Sequence, residues 1–158
     1  MSGDGPAFDA FFEQRHAELS RLAYLLTGDA AAADELAADA LARLRREWPR
    51  LGGDDPAAHA RGTVAALARH RDRRWWGGRG DEPGATDLRG ALRRLPHRRR
   101  ACVVLRYAFG LSDAEAARAL GISPATVRSR TARGVRQLSE LVGGSPQVTR
   151  LGGREATR

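Results

Sequence analysis

Five side chains in the C-terminal third of the chain carry groups that bind nucleic acid. An arginine guanidinium pairs bidentately with a guanine edge or with phosphate oxygens, and Ser and Thr hydroxyl groups bond to bases or to phosphates. A solvated basic helix face is the alternative interpretation of such a cluster. We expect these residues to contact DNA: Thr126, Arg128, Ser129, Arg130 and Arg133.

A second basic run lies near the middle of the chain, where Arg69, Arg71, Arg73 and Arg74 precede two adjacent tryptophans. Phosphate contacts combined with base stacking on aromatic rings are typical of proteins that bind single strands. The run is therefore a second candidate DNA contact. The alternative, that the tryptophans only cover the edge of the core, stays open.

The other groups that could do chemistry are scattered. His16, His59, His70 and His97 show no spacing typical of metal ligands. Cys102 is the only cysteine, which excludes an internal disulfide, and its place on an apolar helix predicts a small buried side chain. There is no catalytic constellation and no phosphate-binding glycine loop. We therefore expect no enzymatic activity, no cofactor and no metal site.

The elements that position the five DNA-contact residues form a helix-turn-helix pattern over 111–142. Ser112 followed by Glu115 is a capping box, which begins a helix. Gly121 ends that helix and Ser123-Pro124 begins the next, which in such motifs lies in the major groove. The apolar residues predicted to pack are Ala116, Ala117, Leu120, Ile122, Val127, Val135, Leu138 and Leu141.

Amphipathic periodicity predicts five helices before this motif, over 7–27, 30–48, 55–76, 88–95 and 97–108. No strand pattern and no internal repeat is present. The sequence therefore predicts an all-α fold.

A Gly- and Pro-rich stretch over 77–86 interrupts the apolar pattern and predicts a linker between two domains. The N-terminal domain covers 7–76 and the C-terminal domain covers 87–142. Residues 143–158 lack a helical pattern, so we expect a flexible tail.

Charge is divided unevenly along the 158 residues, whose formal net charge is +8. Residues 88–158 hold 15 arginines and 4 acidic residues, whereas residues 1–87 hold 12 arginines and 15 acidic residues. The asymmetry indicates that the C-terminal half contacts nucleic acid and the N-terminal half contacts a protein. Because no run of about 18 apolar residues is present, we expect a cytoplasmic protein with no membrane partner.

Residues 7–142 resemble a bacterial sigma factor of the extracytoplasmic function (ECF) type, in particular actinobacterial members of the sigma-70 family. The segments that carry the resemblance are RLAYLLTGD (21–29), LRRLP (92–96), VLRY (104–107) and GISPATVRSR (121–130). The resemblance implies two small helical domains, sigma-2-like and sigma-4-like, joined by a short flexible linker. It also implies promoter-specific transcription initiation, with core RNA polymerase, promoter DNA and an anti-sigma factor as partners.

The resemblance further implies a polymerase-binding surface on the second helix. The surface comprises Asp34, Glu35, Leu36, Asp39 and Leu41. The chain departs from the family at three positions. Ala38 stands where the family usually has glutamine, His59 near an aromatic position at the strand-melting surface, and Ala66 near an asparagine that contacts the unpaired strand. Two interpretations of these departures stay open: tolerated changes, or losses that weaken promoter melting.

The length of the predicted linker limits the distance between two promoter elements that the two domains can contact at once. Two promoter elements lie roughly one and a half helical turns apart, or about 50 Å, whereas ten linker residues reach at most ~35 Å. We therefore expect either a narrow range of promoter spacing or a promoter in which one of the two elements is dispensable. Two other functions stay open: a stand-alone helix-turn-helix regulator acting as a dimer, and a degenerate sigma-like protein that binds an anti-sigma factor or another regulator.

Overall fold

The computed structural model describes residues 3–51, 54–75 and 87–143, with the backbone alone for 72–75. These ranges contain helices and no strand, as predicted. The helices are α1 (Asp4–Thr27), α2 (Ala30–Glu47), α3 (Pro56–Trp75), α4 (Leu88–Arg94), α5 (His97–Val103), α6 (Asp113–Leu120) and α7 (Pro124–Val142). The predicted linker, Trp76 and residues 144–158 lie outside the described residues, so the domain bounds stay predictions.

Several helix ends differ from the predicted ones. α1 begins three residues earlier, at Asp4, and the ends of α3 and α4 differ by one residue. α2 ends at Glu47, because the proline at position 49 favours a short 3₁₀ turn over Trp48–Arg50. The helix predicted over 97–108 is α-helical only to Val103, and its last five residues form a π-helical turn in which the Phe109 N–H donates to the Val104 carbonyl at 3.3 Å.

The helix-turn-helix has the predicted caps. The Ser112 hydroxyl accepts from the Glu115 N–H at 3.0 Å, and the Glu115 carboxylate accepts from the Ser112 N–H at 3.1 Å. Gly121 ends α6 with φ 68°, a left-handed conformation that glycine adopts without steric strain. The Ser123 hydroxyl then accepts from the Thr126 N–H at 3.1 Å, which begins α7.

One hydrophobic core includes side chains from all seven helices. In the N-terminal part α1 packs against α2 and α3, and in the C-terminal part α7 packs against α5 and α6. Leu22 and Val64 are fully buried in the first part, and Leu105 and Leu138 in the second. The two predicted domains therefore share a continuous apolar interior.

The most extensive contact between the two predicted domains joins α3 to α6. A Cβ atom added at Gly62 would lie 2.1 Å from the carbonyl oxygen of Ala119, so glycine alone permits this approach. Beside it, the Arg118 Nη1 atom lies 3.9 Å from the Asp55 Oδ2 atom. The first helix of the helix-turn-helix is thus covered by α7 on one side and by α3 on another.

The predicted buried face of the helix-turn-helix is correct in part. Four of the predicted residues are buried: Ala116, Ala117, Val127 and Leu138. Four are only half-buried at the edge of the motif: Leu120, Ile122, Val135 and Leu141. Ala119 is buried instead, because α3 covers the side of α6 that the motif alone would leave in solvent.

Arg100 is a buried arginine that joins α1 to α4. Its Nη1 atom donates to the Leu26 carbonyl at 2.5 Å and its Nε atom to the Leu92 carbonyl at 2.8 Å, while Nη2 donates to Arg93 and Leu95 at 3.0 and 2.8 Å. These carbonyls lie at helix C-termini, where the helix dipole favours a cation. The hydrogen bonds replace the water that the guanidinium loses on burial.

Candidate nucleic-acid interface

α7 has a buried stripe and an opposite face in solvent. The stripe recurs at spacings of three and four: Val127, Thr131, Gly134 and Leu138. The predicted DNA-contact residues all lie off this stripe. Arg128, Ser129 and Arg133 are exposed, and Thr126 and Arg130 are half-buried. Three of the five therefore lie on the solvent side of one helix, as a recognition helix requires, and the other two lie at the margins of that side.

Contacts near both ends of α7 fix its orientation. At the start, the hydroxyl groups of Ser123 and Thr126 lie 2.7 Å apart. Further along, a Cβ atom at Gly134 would lie 2.6 Å from Val103 Cγ2, so α5 lies directly beneath the helix. The Arg99 Nη1 atom donates to Gln137 Oε1 at 2.9 Å on the same side. α7 is therefore held as a rigid support for its outward side chains.

An acidic side chain that the sequence analysis did not select lies beside Arg128. The Asp113 Oδ2 atom is 3.5 Å from Arg128 Nε, and the Asp113 Oδ1 atom is 2.7 Å from Arg106 Nε. The signal that could have found Asp113 is an acidic residue in the first turn of α6, opposite the arginine-rich start of α7.

The second basic run meets the predicted polymerase-binding surface. Arg71 Nη1 donates to Glu35 Oε2 at 3.0 Å, so a residue predicted to bind DNA pairs with one predicted to bind polymerase. Arg69 is half-buried on the same helix. The side chains of Arg73 and Arg74, and the adjacent tryptophans predicted to stack on bases, lie outside the described side chains.

The predicted polymerase-binding surface needs one correction. Asp34, Glu35 and Asp39 are exposed on α2, as expected of a binding surface. Leu36 and Leu41 are 5% and 1% exposed and lie in the core, so their side chains cannot contact a partner. The periodicity of α2 placed them in its apolar stripe, and burial of that stripe against α1 and α3 outweighs the family assignment.

Comparison with known proteins agrees with this arrangement. The family model described as "Sigma-70, region 4" matches residues 85–138, which contain the helix-turn-helix pattern as far as Leu138. The chain is 32% identical over 163 aligned positions to the ECF RNA polymerase sigma factor SigM of Mycobacterium tuberculosis, in strains Erdman and H37Rv, across 90% of this chain and 81% of that protein. The chain belongs to the ECF sigma factor family.

A solved structure shares the fold of this sigma factor. The sigma factor RpoE from Bartonella quintana, determined in complex with the anti-sigma factor NepR, superposes with a TM-score of 0.68 at 21% identity. The match covers 87% of this chain and 97% of that one. As an RNA polymerase sigma factor, the protein functions in transcription initiation.

The three departures from the family pattern are all at the surface of this sigma factor. Ala38 and Ala66 are exposed and present only methyl groups. The His59 Nε2 atom lies 2.7 Å from the Glu47 Oε2 atom, which ties the start of α3 to the end of α2. His59 is therefore engaged with a carboxylate at the position where an aromatic ring was expected.

The features that remain to be located are the cysteine, groups of metal ligands and helices that could span a membrane. Cys102 is fully buried, as predicted, and burial raises the pKa of its thiol to about 11. Among the described residues, no three His, Cys, Asp or Glu side chains are grouped to hold a metal ion. No helix within the described ranges is long and apolar enough to cross a membrane.

Proposed function

We propose that this sigma factor recognises an upstream promoter element with α7 and binds core RNA polymerase with the exposed acidic residues of α2. α3 contacts the downstream element. The observation that carries the proposal is the exposure of Arg128, Ser129 and Arg133 on α7, with the other two predicted DNA-contact residues half-buried beside them. The protein acts as a dissociable, non-enzymatic subunit in the cytoplasm, and an anti-sigma factor is the further partner that the family resemblance implies.

The charge of the described surfaces supports this division of labour. Arg128, Arg133 and Arg136 are exposed on α7, where guanidinium groups suit phosphate oxygens and guanine edges. Asp34 and Asp39 are exposed on α2 and suit a basic partner surface. The α7 surface therefore suits a negatively charged partner, and the α2 surface suits a positively charged one.

The proposal requires α3 and α6 to separate during promoter binding. In the structure they touch through Gly62 and Ala119. The two promoter elements lie about 50 Å apart along the duplex, at 34–36 Å per helical turn. The described arrangement, in which α3 touches α6, is thus a closed form of the protein. To contact both promoter elements at once, the protein adopts an open form in which the two helices are apart.

Run-off transcription with mycobacterial core polymerase tests the proposal. Genomic promoter fragments are supplied either as intact duplex or with a pre-melted bubble. Transcripts from intact duplex support a complete sigma factor. Transcripts from pre-melted templates alone support promoter recognition and polymerase binding, and place a melting defect near His59 and Ala66. The absence of transcripts from both templates contradicts the proposal, and a palindromic footprint without polymerase would then favour a stand-alone regulator.

Paired variants assign the effect to α7. Arg128→Ala with Arg133→Ala is expected to reduce transcription from the preferred promoter, because two contacts of the recognition helix are removed. Arg94→Ala with Arg98→Ala removes the same charge from exposed positions on α4 and α5 and is the matched control. Equal losses in the two double variants would show a general charge effect and contradict recognition by α7.

A further inference from the structure

Asp113 lies between two arginines that belong to different parts of the C-terminal domain. One carboxylate oxygen is 2.7 Å from Nε of Arg106, in the middle of the π-helical turn that follows α5. The other is 3.5 Å from Nε of Arg128, in the second turn of α7. A single carboxylate thus connects the support of the motif to its DNA-contact face.

Arg106 fixes this carboxylate before any DNA is bound. Its Nη1 atom donates to the Leu111 carbonyl at 2.5 Å, and its side chain is 18% exposed, compared with 61% for Arg128. Arg106 is therefore a static anchor, whereas Arg128 is an accessible group beside a fixed charge. Coulomb attraction to the fixed carboxylate favours orientations of the Arg128 guanidinium that keep its Nε side next to Asp113.

The geometry at Arg128 determines which of its hydrogen-bond donors remain for DNA. A guanidinium is a planar fork of five N–H groups, and the carboxylate lies on its Nε side. The Nη1 and Nη2 edge is left for a partner, and two parallel N–H groups match the O6 and N7 acceptors of guanine. The negative charge of Asp113 also repels a phosphate that approaches Arg128 from the same side.

We propose that Asp113 is a positioning residue for sequence discrimination: it directs Arg128 toward a base edge and away from the phosphate backbone. The inference rests on the proposed function of α7. It predicts that loss of the carboxylate weakens specific binding relative to non-specific binding. A purely structural role at the start of α6 would instead change the melting temperature and both affinities together.

The test compares two affinities for the full-length chain bound to core polymerase. The specific probe is the duplex that the wild-type complex enriches most from a random-sequence library, and the non-specific probe is the unselected library. Asp113→Asn is expected to lower the ratio of specific to non-specific affinity by about two- to fivefold, the range of an exposed ion pair. Glu140→Gln makes the same charge change at an exposed position of α7 and is expected to leave the ratio unchanged.

The Arg128→Ala background separates positioning from general electrostatics. In that background Asp113→Asn is expected to have no further effect on the ratio, because its target is absent. Arg128→Lys keeps the charge but lacks the Nε–H, so it is expected to lower the ratio with α6 intact. An unchanged ratio in Asp113→Asn or in Arg128→Lys overturns the inference, as does an equal fall with and without Arg128. A wild-type complex that enriches no duplex overturns the proposed function itself.

Discussion

Arginine side chains in this sigma factor have three distinct roles, although the sequence presents them as one residue type. Arg100 is buried among backbone carbonyls, and Arg106 anchors a carboxylate at the base of the helix-turn-helix. Arg133 is exposed on α7. Because the guanidinium is charged in every one of these environments, the partner atoms alone decide its role.

Arg133→Ala is expected to weaken binding to the preferred promoter by ~1–3 kcal/mol if its contact is bidentate with a base. The measurement is a fluorescence-anisotropy titration of the polymerase complex at several salt concentrations. Loss of a base contact leaves the salt dependence unchanged, whereas loss of a phosphate contact lowers the slope of log K against log salt by about 0.9. Arg94→Ala is the control, and an affinity equal to that of the control would remove Arg133 from the interface.

At the level of the helices, short polar contacts determine where each element begins and which neighbour it packs against. The capping box of α6 acts within one helix, through Ser112 and Glu115. The Glu18 carboxylate acts between helices, because it accepts from Arg15 at 2.8 Å within α1 and from Arg61 Nη2 of α3 at 2.7 Å. The first kind of contact is local in sequence, and the second joins distant elements.

Ser112→Ala is expected to lower the free energy of unfolding by ~1 kcal/mol, because the orphan N–H at the third position of α6 loses its acceptor. Urea denaturation followed by circular dichroism measures the change. Ser129→Ala, on the exposed face of α7, is the control and is expected to stay within about 0.5 kcal/mol of wild type. Equal stabilities for the two variants would show that the cap contributes nothing.

The carboxyl group of Glu18 makes the free energy of unfolding depend on pH. Burial raises the pKa of its carboxyl group, but hydrogen bonds from Arg15 and Arg61 outweigh burial and hold the pKa below its usual value. Because the folded-state pKa is depressed, the stabilisation is present above the unfolded pKa of about 4.3 and is lost as the pH falls through the folded pKa. Wild type should therefore exceed Glu18→Gln in stability at pH 7, and the difference should shrink below about pH 4.

The measurement is urea denaturation of both proteins across this pH range, with Glu13→Gln as the control. Glu13 is exposed on the same helix. A difference between wild type and Glu18→Gln that persisted unchanged into strong acid would contradict the assigned role of the ion pairs.

At the scale of the whole molecule, a contact between α3 and α6 joins the two predicted domains, and the proposed function requires promoter binding to break it. α3 and α6 meet at Gly62, and hydrophobic side chains of both predicted domains form one core. Two surface pairs lie along the same boundary: Arg21 faces the ring of Phe109 at 5.4 Å, and Arg89 faces the ring of Tyr24 at 5.2 Å. Close packing at Gly62 and two cation–π contacts therefore stabilise this arrangement of the two parts.

Gly62→Ala is expected to open the molecule. The new Cβ would lie 2.1 Å from the Ala119 carbonyl oxygen, which belongs to the backbone and cannot rotate away. Alanine also raises the intrinsic stability of α3 by about 1 kcal/mol, so a loss of compactness cannot come from the helix itself. Small-angle X-ray scattering should show a larger radius of gyration, and hydrogen exchange in α6 should accelerate.

Gly5→Ala is the matched control, because this glycine lies in α1 and an added Cβ would meet nothing within 4 Å. The control should keep the wild-type radius of gyration. If Gly62→Ala did so too, the α3–α6 contact would not be what holds the two parts together.

Local sequence determined the helices and the outward face of α7. A capping box and a helix-ending glycine act within a few residues, so Ser112, Glu115 and Gly121 could be assigned without knowledge of the fold. The helical period likewise separated Arg128 and Arg133 from the buried stripe of α7. Both signals depend only on backbone geometry, which is the same in every α-helix.

The tertiary structure determined which residues of different helices contact one another. Arg100 bonds to the carbonyl of Leu26, which is 74 residues away along the chain, and no local pattern encodes that pairing. The Asp113–Arg128 pair likewise depends on how α6 and α7 cross, and the burial of Ala119 on where α3 comes to lie. Such contacts result from the packing of whole helices. Each helix face packs against a face of matching shape and charge that is distant in the sequence, so the local sequence does not specify the contact.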